Sequence, residues 1–285
     1  MSNESVRLIV DSGSTKSDWL LLGLSCQNTF QTKGFNPVFH TSDFIQQEIA
    51  SNEDILALAD QVEEIYFYGA GCSSAERNAV VKKGLTGIFP NAKIFVDHDL
   101  TACAYATFDG EKSISCILGT GSNACMFDGK KITQAVPSLG YILGDEGGGA
   151  YFGKEILAQF LYGRLPEELQ HLFQTSYDLK KEQVISRVYK EPYPNTYLAS
   201  FMEFAVNNAS HPYIKELIFN GFRKFNDIHV CAFPDFRSVK VHYVGSIAFL
   251  FSEELKRACH EQGITLGKII QKPIEGLVHY HQTYL

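Results

Sequence analysis

The chain has no apolar run near the ~20 residues that a membrane-spanning helix needs, and it opens on no export signal. Positive charge is in short supply. Lys and Arg number 25 against 32 Asp and Glu, for a net charge of −7, and the basic residues are scattered. That leaves no basic stripe to grip nucleic acid, so a phosphate ligand would have to be held by local geometry. The seven cysteines (Cys26, Cys72, Cys103, Cys116, Cys125, Cys231 and Cys259) form no CxxC pair and no Cys/His zinc spacing. Reduced thiols, mostly in the core of a cytoplasmic protein, are expected. No GxxxxGK[ST] loop occurs, which excludes a Walker-type phosphate site. What is present is 285 residues, 45% hydrophobic and 20% charged, enough for one large domain or two of ordinary size.

The short apolar runs at residues 7–10 and 19–22 predict two strands around the turn SGSTKS. A third strand is expected within residues 28–39, broken by Gly34 and Asn36-Pro37. A helix over 41–58, a strand over 63–71, a helix over 75–88, a strand over 92–99 and an Ala-rich helix over 100–107 follow. The pattern then restarts: a strand at 113–118, the turn GTGSN, and a strand at 124–128. The Gly-rich stretch LGDEGGG leads into a long helix from residue 150. A strand and turn at 239–246 and a helix at 247–262 come later. A strand–polar turn–strand unit thus opens each half, a repeat of about a hundred residues that predicts two α/β domains. The boundary is expected within residues 109–112.

Both turns have the composition of anion cradles. Glycine lets backbone N–H groups come close, and Ser or Thr hydroxyls add donors. Either can equally be an ordinary hairpin. Asp11 ends its strand against the first turn. A carboxylate there would repel polyphosphate unless a cation lay between, so its role would be Mg²⁺; the alternative is an Asp capping its own turn. Asp97 and Asp99 end the strand at 92–99. Asp99 is either the N-cap of the next helix or a base that accepts a proton from a substrate hydroxyl. Strand alternation predicts that His98, between them, points elsewhere. Asp145 and Glu146 precede a helix, where acids suit the dipole, but the three glycines around them suggest a ligand whose hydroxyls Asp145 accepts. Asn36 in GFNP is a turn residue or an amide that pairs with two hydroxyls.

In order, the segments VDSGSTKSDWLLL, GFNP, FVDHDLTACAYA, ILGTGSNACMF, GYILGDEGGGAYFGKE and VHYVGSIAFLF resemble the N-acetylglucosamine kinase family, a branch of the actin-like, Hsp70-like sugar-kinase superfamily. The resemblance is weakest over residues 165–230. It implies two RNase H-like (actin-like ATPase) domains with an interdomain cleft for ATP and sugar. Residues 1–111 would form the first domain, with a C-terminal helix at about 272–285 packed back on it. Residues 112–271 would form the nucleotide-binding domain, with a helical insert at about 165–230. Gly13, Ser14, Thr15 and Lys16 would bind phosphate, as would Gly119, Thr120 and Gly121. Gly245 and Ser246 would lie near the adenosine, Asn36, Thr120 and Asp145 would contact sugar, and Asp99 would be the catalytic base. ATP and Mg²⁺ are implied, the latter at Asp11, and a homodimer is expected. The final segment, KPIEGLVHYHQTYL, departs from that of relatives.

Two other readings share this pattern. An activator ATPase of the 2-hydroxyacyl-CoA dehydratase type would hold an iron–sulfur cluster at a dimer interface, and Cys116 and Cys125 are its nearest candidates. A sugar-sensing regulator would need a DNA-binding segment, for which the strand at the chain's start leaves no room. Glucosamine or N-acetylmannosamine remains an alternative sugar.

Overall fold

Leu8, Ile9 and Val10 are all fully buried, as expected of a strand covered on both faces. They belong to β1 (Arg7–Ser12), the middle strand of the first sheet in a computed structural model that describes residues 5–23 and 28–285. Cys26 lies outside the described residues. β2 (Lys16–Leu22) and β3 (Thr29–Lys33) continue antiparallel on one side of β1. Next come α1 (Ser42–Ala50) and α2 (Glu53–Leu56). The one helix expected over 41–58 is two, because the Asn52 side chain accepts the Ile55 N–H and starts a fresh helix there. β4 (Glu64–Gly69), α3 (Ala75–Thr86), β5 (Lys93–His98) and α4 (Asp99–Thr107) complete the run. β4 and β5 pair parallel on the other side of β1, joined by α3 as a crossover. The sheet order is β3-β2-β1-β4-β5.

The chain divides after Thr107, and the second compact unit is Phe108–Lys272. It opens with β6 (Ser113–Leu118), β7 (Ser122–Phe127) and β8 (Ile132–Thr133). A short α5 (Gly140–Leu143) precedes α6 (Gly149–Leu161). Helices α7 (Glu167–Ser176), α8 (Lys181–Tyr189), α9 (Pro194–Ser200), α10 (Met202–Asn207) and α11 (Pro212–Phe225) follow. A π-helical turn, Asn226–Val230, ends that series. The unit closes with β9 (Lys240–Val244), α12 (Ser246–Leu250), α13 (Ser252–Glu261) and β10 (Leu266–Ile270). The single helix expected over 247–262 is therefore broken at Phe251. The sheet order is β10-β9-β6-β7-β8, with β6/β7 antiparallel and β6/β9 parallel. Counted from each unit's first strand, the two sheets have the same order and the same strand directions. Burial of Phe152, Phe173, Phe219, Phe222 and Phe225 makes the core of this unit strongly aromatic.

The last helix, α14 (Ile274–Tyr284), belongs to the first unit. Tyr280 stacks on Tyr105 of α4 at 4.0 Å between ring centroids. His281 Nε2 lies 2.9 Å from the Tyr68 hydroxyl of β4. Among the described residues no helix is long and apolar enough to cross a membrane.

Candidate functional site

In the first unit the expected residues gather at the C-terminal ends of β1, β4 and β5, where ligands of open α/β sheets bind. The turn after β1 is residues 13–15, closed by the Gly13 N–H donating to Lys16 O at 3.0 Å. Two buried serines brace its base. Ser17 Oγ donates to Ser12 Oγ at 2.8 Å, and Ser12 Oγ accepts the Phe35 N–H at 2.8 Å. The Gly34 N–H donates to Thr15 O. A Cβ on Gly34 would lie 2.1 Å from Gly13 O, so only glycine lets this segment pass the turn. Sequence reasoning saw Gly34 merely as a breaker, since the contact is tertiary.

These bonds deliver Asn36 beside the turn. It is buried, and its Oδ1 accepts the Val38 N–H at 2.9 Å. The turn role is therefore real. Asp11 sits in register opposite Asp18 on β2 and Tyr68 on β4. Like charges opposite each other on paired strands destabilise, and a cation would relieve that. Among the described residues no three His, Cys, Asp or Glu side chains converge as a metal cage. One carboxylate is what Mg²⁺ needs when nucleotide phosphates and water supply its other ligands, so Asp11 fits that role.

Asp99 is the first residue of α4 and is 25% exposed. His98 does not point elsewhere: its Nδ1 lies 2.6 Å from Asp99 Oδ1. Alternation fails here because the strand ends at His98 and the helix begins at the next residue. Asp97 remains on the strand, exposed, with its Oδ1 accepting the His98 N–H.

In the second unit the GTGSN stretch is a tighter turn than its composition suggests. Leu118 pairs with Ser122, so only residues 119–121 are loop, and Ser122 and Asn123 are buried strand residues. The GDEGG stretch folds back onto this turn. The Gly149 and Ala150 N–H groups, the otherwise orphaned first donors of α6, donate to Gly119 O and Thr120 O at 2.8 Å each. A trans peptide points its C=O and N–H in opposite directions, so the Thr120 and Gly121 N–H groups face away from α6. Neither takes a backbone partner among the described residues. Two such N–H groups side by side are the arrangement that an anion-binding concavity needs.

Asp145 lies against the same turn, with Oδ1 accepting the Ser122 N–H at 3.2 Å. A Cβ on Gly121 would meet that carboxylate at 2.8 Å. The Asp145 backbone is left-handed, φ 55°, a conformation costly for a residue with a side chain and common at functional sites. Glu146 turns the other way, 3.8 Å from His229 Nε2 and 3.7 Å from Lys224 Nζ. Burial lowers the His229 pKa, against the pull of Glu146. Gly245, at φ 128°, brings the end of β9 to the same place: a Cβ there would lie 2.3 Å from Leu118 O. Ser246 begins α12 and is exposed. The glycines that open the two turns behave differently. A Cβ on Gly13 would meet only Lys16 O, at 3.6 Å, and one on Gly119 nothing within 4 Å. Neither has a left-handed φ. The fold requires glycine at neither position.

Neither protein-family models nor curated proteins give a match to the chain. Solved structures do. A candidate N-acetylglucosamine kinase from Porphyromonas gingivalis is 37% identical, with a TM-score of 0.91 over 97% of this chain and 99% of that one. A candidate N-acetylglucosamine kinase from Chromobacterium violaceum is 13% identical, with a TM-score of 0.70 over 98% of this chain and 99% of that one. A ROK family glucokinase from Streptomyces griseus, solved with glucose and AMPPNP, is 13% identical, with a TM-score of 0.57 over 98% of each chain. The two at 13% identity share the fold alone; the first shares sequence along its whole length. The chain belongs to the N-acetylglucosamine kinase family.

Proposed function

We propose that this protein is an ATP-dependent phosphotransferase acting on the 6-hydroxyl of N-acetylglucosamine or a closely related amino sugar. The observation that carries the reading is the pair of turn-opening glycines, Gly13 and Gly119. They sit at equivalent places after β1 and β6, and among the described residues no close contact explains them. Phosphate approaching the backbone does. The identical order and directions of the two sheets support two RNase H-like domains.

In this mechanism the 13–16 turn and the 119–121 turn hold the phosphates, with Lys16 offsetting charge. Asn36, Thr120 and Asp145 hold sugar hydroxyls. Mg²⁺, when bound near Asp11, neutralises charge on the phosphates. Asp99 orients the 6-hydroxyl and takes its proton as the oxygen attacks the γ-phosphorus in line. Positioning and charge stabilisation supply the catalysis, with no phosphoenzyme. Gly245 and Ser246 lie toward the adenosine. The activator-ATPase reading is disfavoured because Cys116 and Cys125 are wholly buried in β6 and β7, where neither can reach a cluster shared with another chain. A homodimer remains part of the proposal.

The test is ADP release with Mg²⁺–ATP across glucose, glucosamine, N-acetylglucosamine and N-acetylmannosamine. Release that depends on an amino sugar is expected. Equal release with and without sugar would overturn the reading.

A further inference from the structure

His98 was set aside by the sequence pattern, yet its ring makes the most specific contact at the base. Nδ1 lies 2.6 Å from Asp99 Oδ1. The same nitrogen lies 3.0 Å from the Leu100 N, placed to accept its hydrogen. One nitrogen cannot do both. A bare lone pair 2.6 Å from a carboxylate oxygen would be repelled, so the short contact requires a proton on Nδ1. The Leu100 N–H is the partner left to Nδ1 once that proton is gone. The groups facing the ring are Asp99 on α4 and Asp97 on β5. Cys72, in the loop between β4 and α3, is close enough to Asp99 and Asp97 to feel both charges. Burial is the largest effect on the His98 pKa and lowers it, but the hydrogen bond and charge of Asp99, with the charge of Asp97, together leave it raised. The Cys72 thiol is pushed up to about 12 by burial, then by Asp99 and Asp97, so it stays neutral.

We infer that His98 is the positioning residue of Asp99: its Nδ1–H fixes Oδ1 and leaves Oδ2 to take the proton of the attacking sugar hydroxyl. The inference rests on Asp99 being the base. In the step, the bond from the sugar oxygen to the γ-phosphorus forms and the bond from that phosphorus to the ADP oxygen breaks. The hydroxyl proton passes to Asp99 Oδ2, while His98 keeps its own.

The experiment compares His98→Ala, His98→Asn, Asp99→Asn and the His98→Ala/Asp99→Asn pair, each checked for an unchanged melting temperature. Asn places an amide donor near the position of Nδ1. His98→Ala is expected to lower kcat by ~10–100-fold, the scale of a misoriented catalytic group, with both KM values within about twofold. His98→Asn should restore kcat to within about threefold. A merely structural role would show instead as a lowered melting temperature or raised KM values, and Asn would not rescue it. The double variant should be no slower than Asp99→Asn alone. An inactive Asp99→Asn beside a His98→Ala enzyme with wild-type kcat would overturn the inference and leave the base assignment standing. An active Asp99→Asn would overturn both.

Discussion

Asp97 and Asp99 are two residues apart and chemically unalike. Asp97 is exposed, bonds the backbone of its neighbour, and lines a cavity of about 580 Å³ with Tyr66, Tyr68 and Tyr105. Asp99 begins a helix and is held by an imidazole. Asp99→Asn should therefore lower kcat by ~10²–10⁴-fold, the usual loss for a general base, and leave sugar affinity nearly unchanged. Steady-state kinetics beside Asp97→Asn check this; the reverse ranking would mean that Asp97 is the base. Asp11 acts on a cation in this account, so Asp11→Ala should raise the Mg²⁺ requirement more than the sugar KM. A Mg²⁺ titration identical to wild type would make Asp11 a turn residue only. The residue types at these positions were legible in the sequence because their chemistry is unusual at strand ends. The partner of Asp99 was not, because a helix starting one residue later overrides alternation.

Strands were the most legible elements, since an apolar run of four to six residues between polar turns is too short for most helices. The turns were less so. Ser122 and Asn123 look like loop residues, but they are buried in β7, where Asn123 Oδ1 takes the Ala124 N–H and the Gln134 amide. That GDEGG closes over GTG cannot be read along a chain, because the two stretches meet through tertiary contacts: the first N–H groups of α6, the Gly121 approach and the Asp145 bond to Ser122. Glycine substitutions separate folding from function at this scale. Gly34→Ala forces a Cβ onto the Gly13 carbonyl and should cost about 2 kcal/mol or more of stability. Gly119→Ala meets nothing within 4 Å among the described residues, so its melting temperature should stay near wild type. Its kcat/KM for ATP should fall by ~10-fold or more, because a methyl would occupy space meant for phosphate. Thermal melts and ATP kinetics of both variants check this; wild-type ATP kinetics in Gly119→Ala would remove the main support for that turn as a phosphate cradle.

At the scale of the whole molecule, each unit hides a neutral histidine. His242 is buried in the second unit, its Nδ1 accepting the Lys268 N–H. His281 is buried in the first against Tyr68. Burial, the largest cause for both, lowers each pKa to about 4. The unfolded chain, near 6.5, then binds more protons than the folded one across pH 6.5 to 4. Stability is full above pH 6.5 and falls by about 1.4 kcal/mol per pH unit for each histidine below it. His98, with a raised pKa, runs the other way and offsets part of one of them. Calorimetry should show the melting temperature falling well before carboxylates titrate, whereas a flat curve from pH 7 to 5 would contradict the burial of neutral rings.

The central claim is transfer of a phosphoryl group from ATP to the 6-hydroxyl of an amino sugar. It is tested most directly by ³¹P–¹H correlation NMR of the product made from N-acetylglucosamine and Mg²⁺–ATP. The account predicts one phosphate coupled to the two H6 protons, formed in equal amount with ADP. ADP accumulating beside inorganic phosphate, or phosphate on any other oxygen of the sugar, would contradict it.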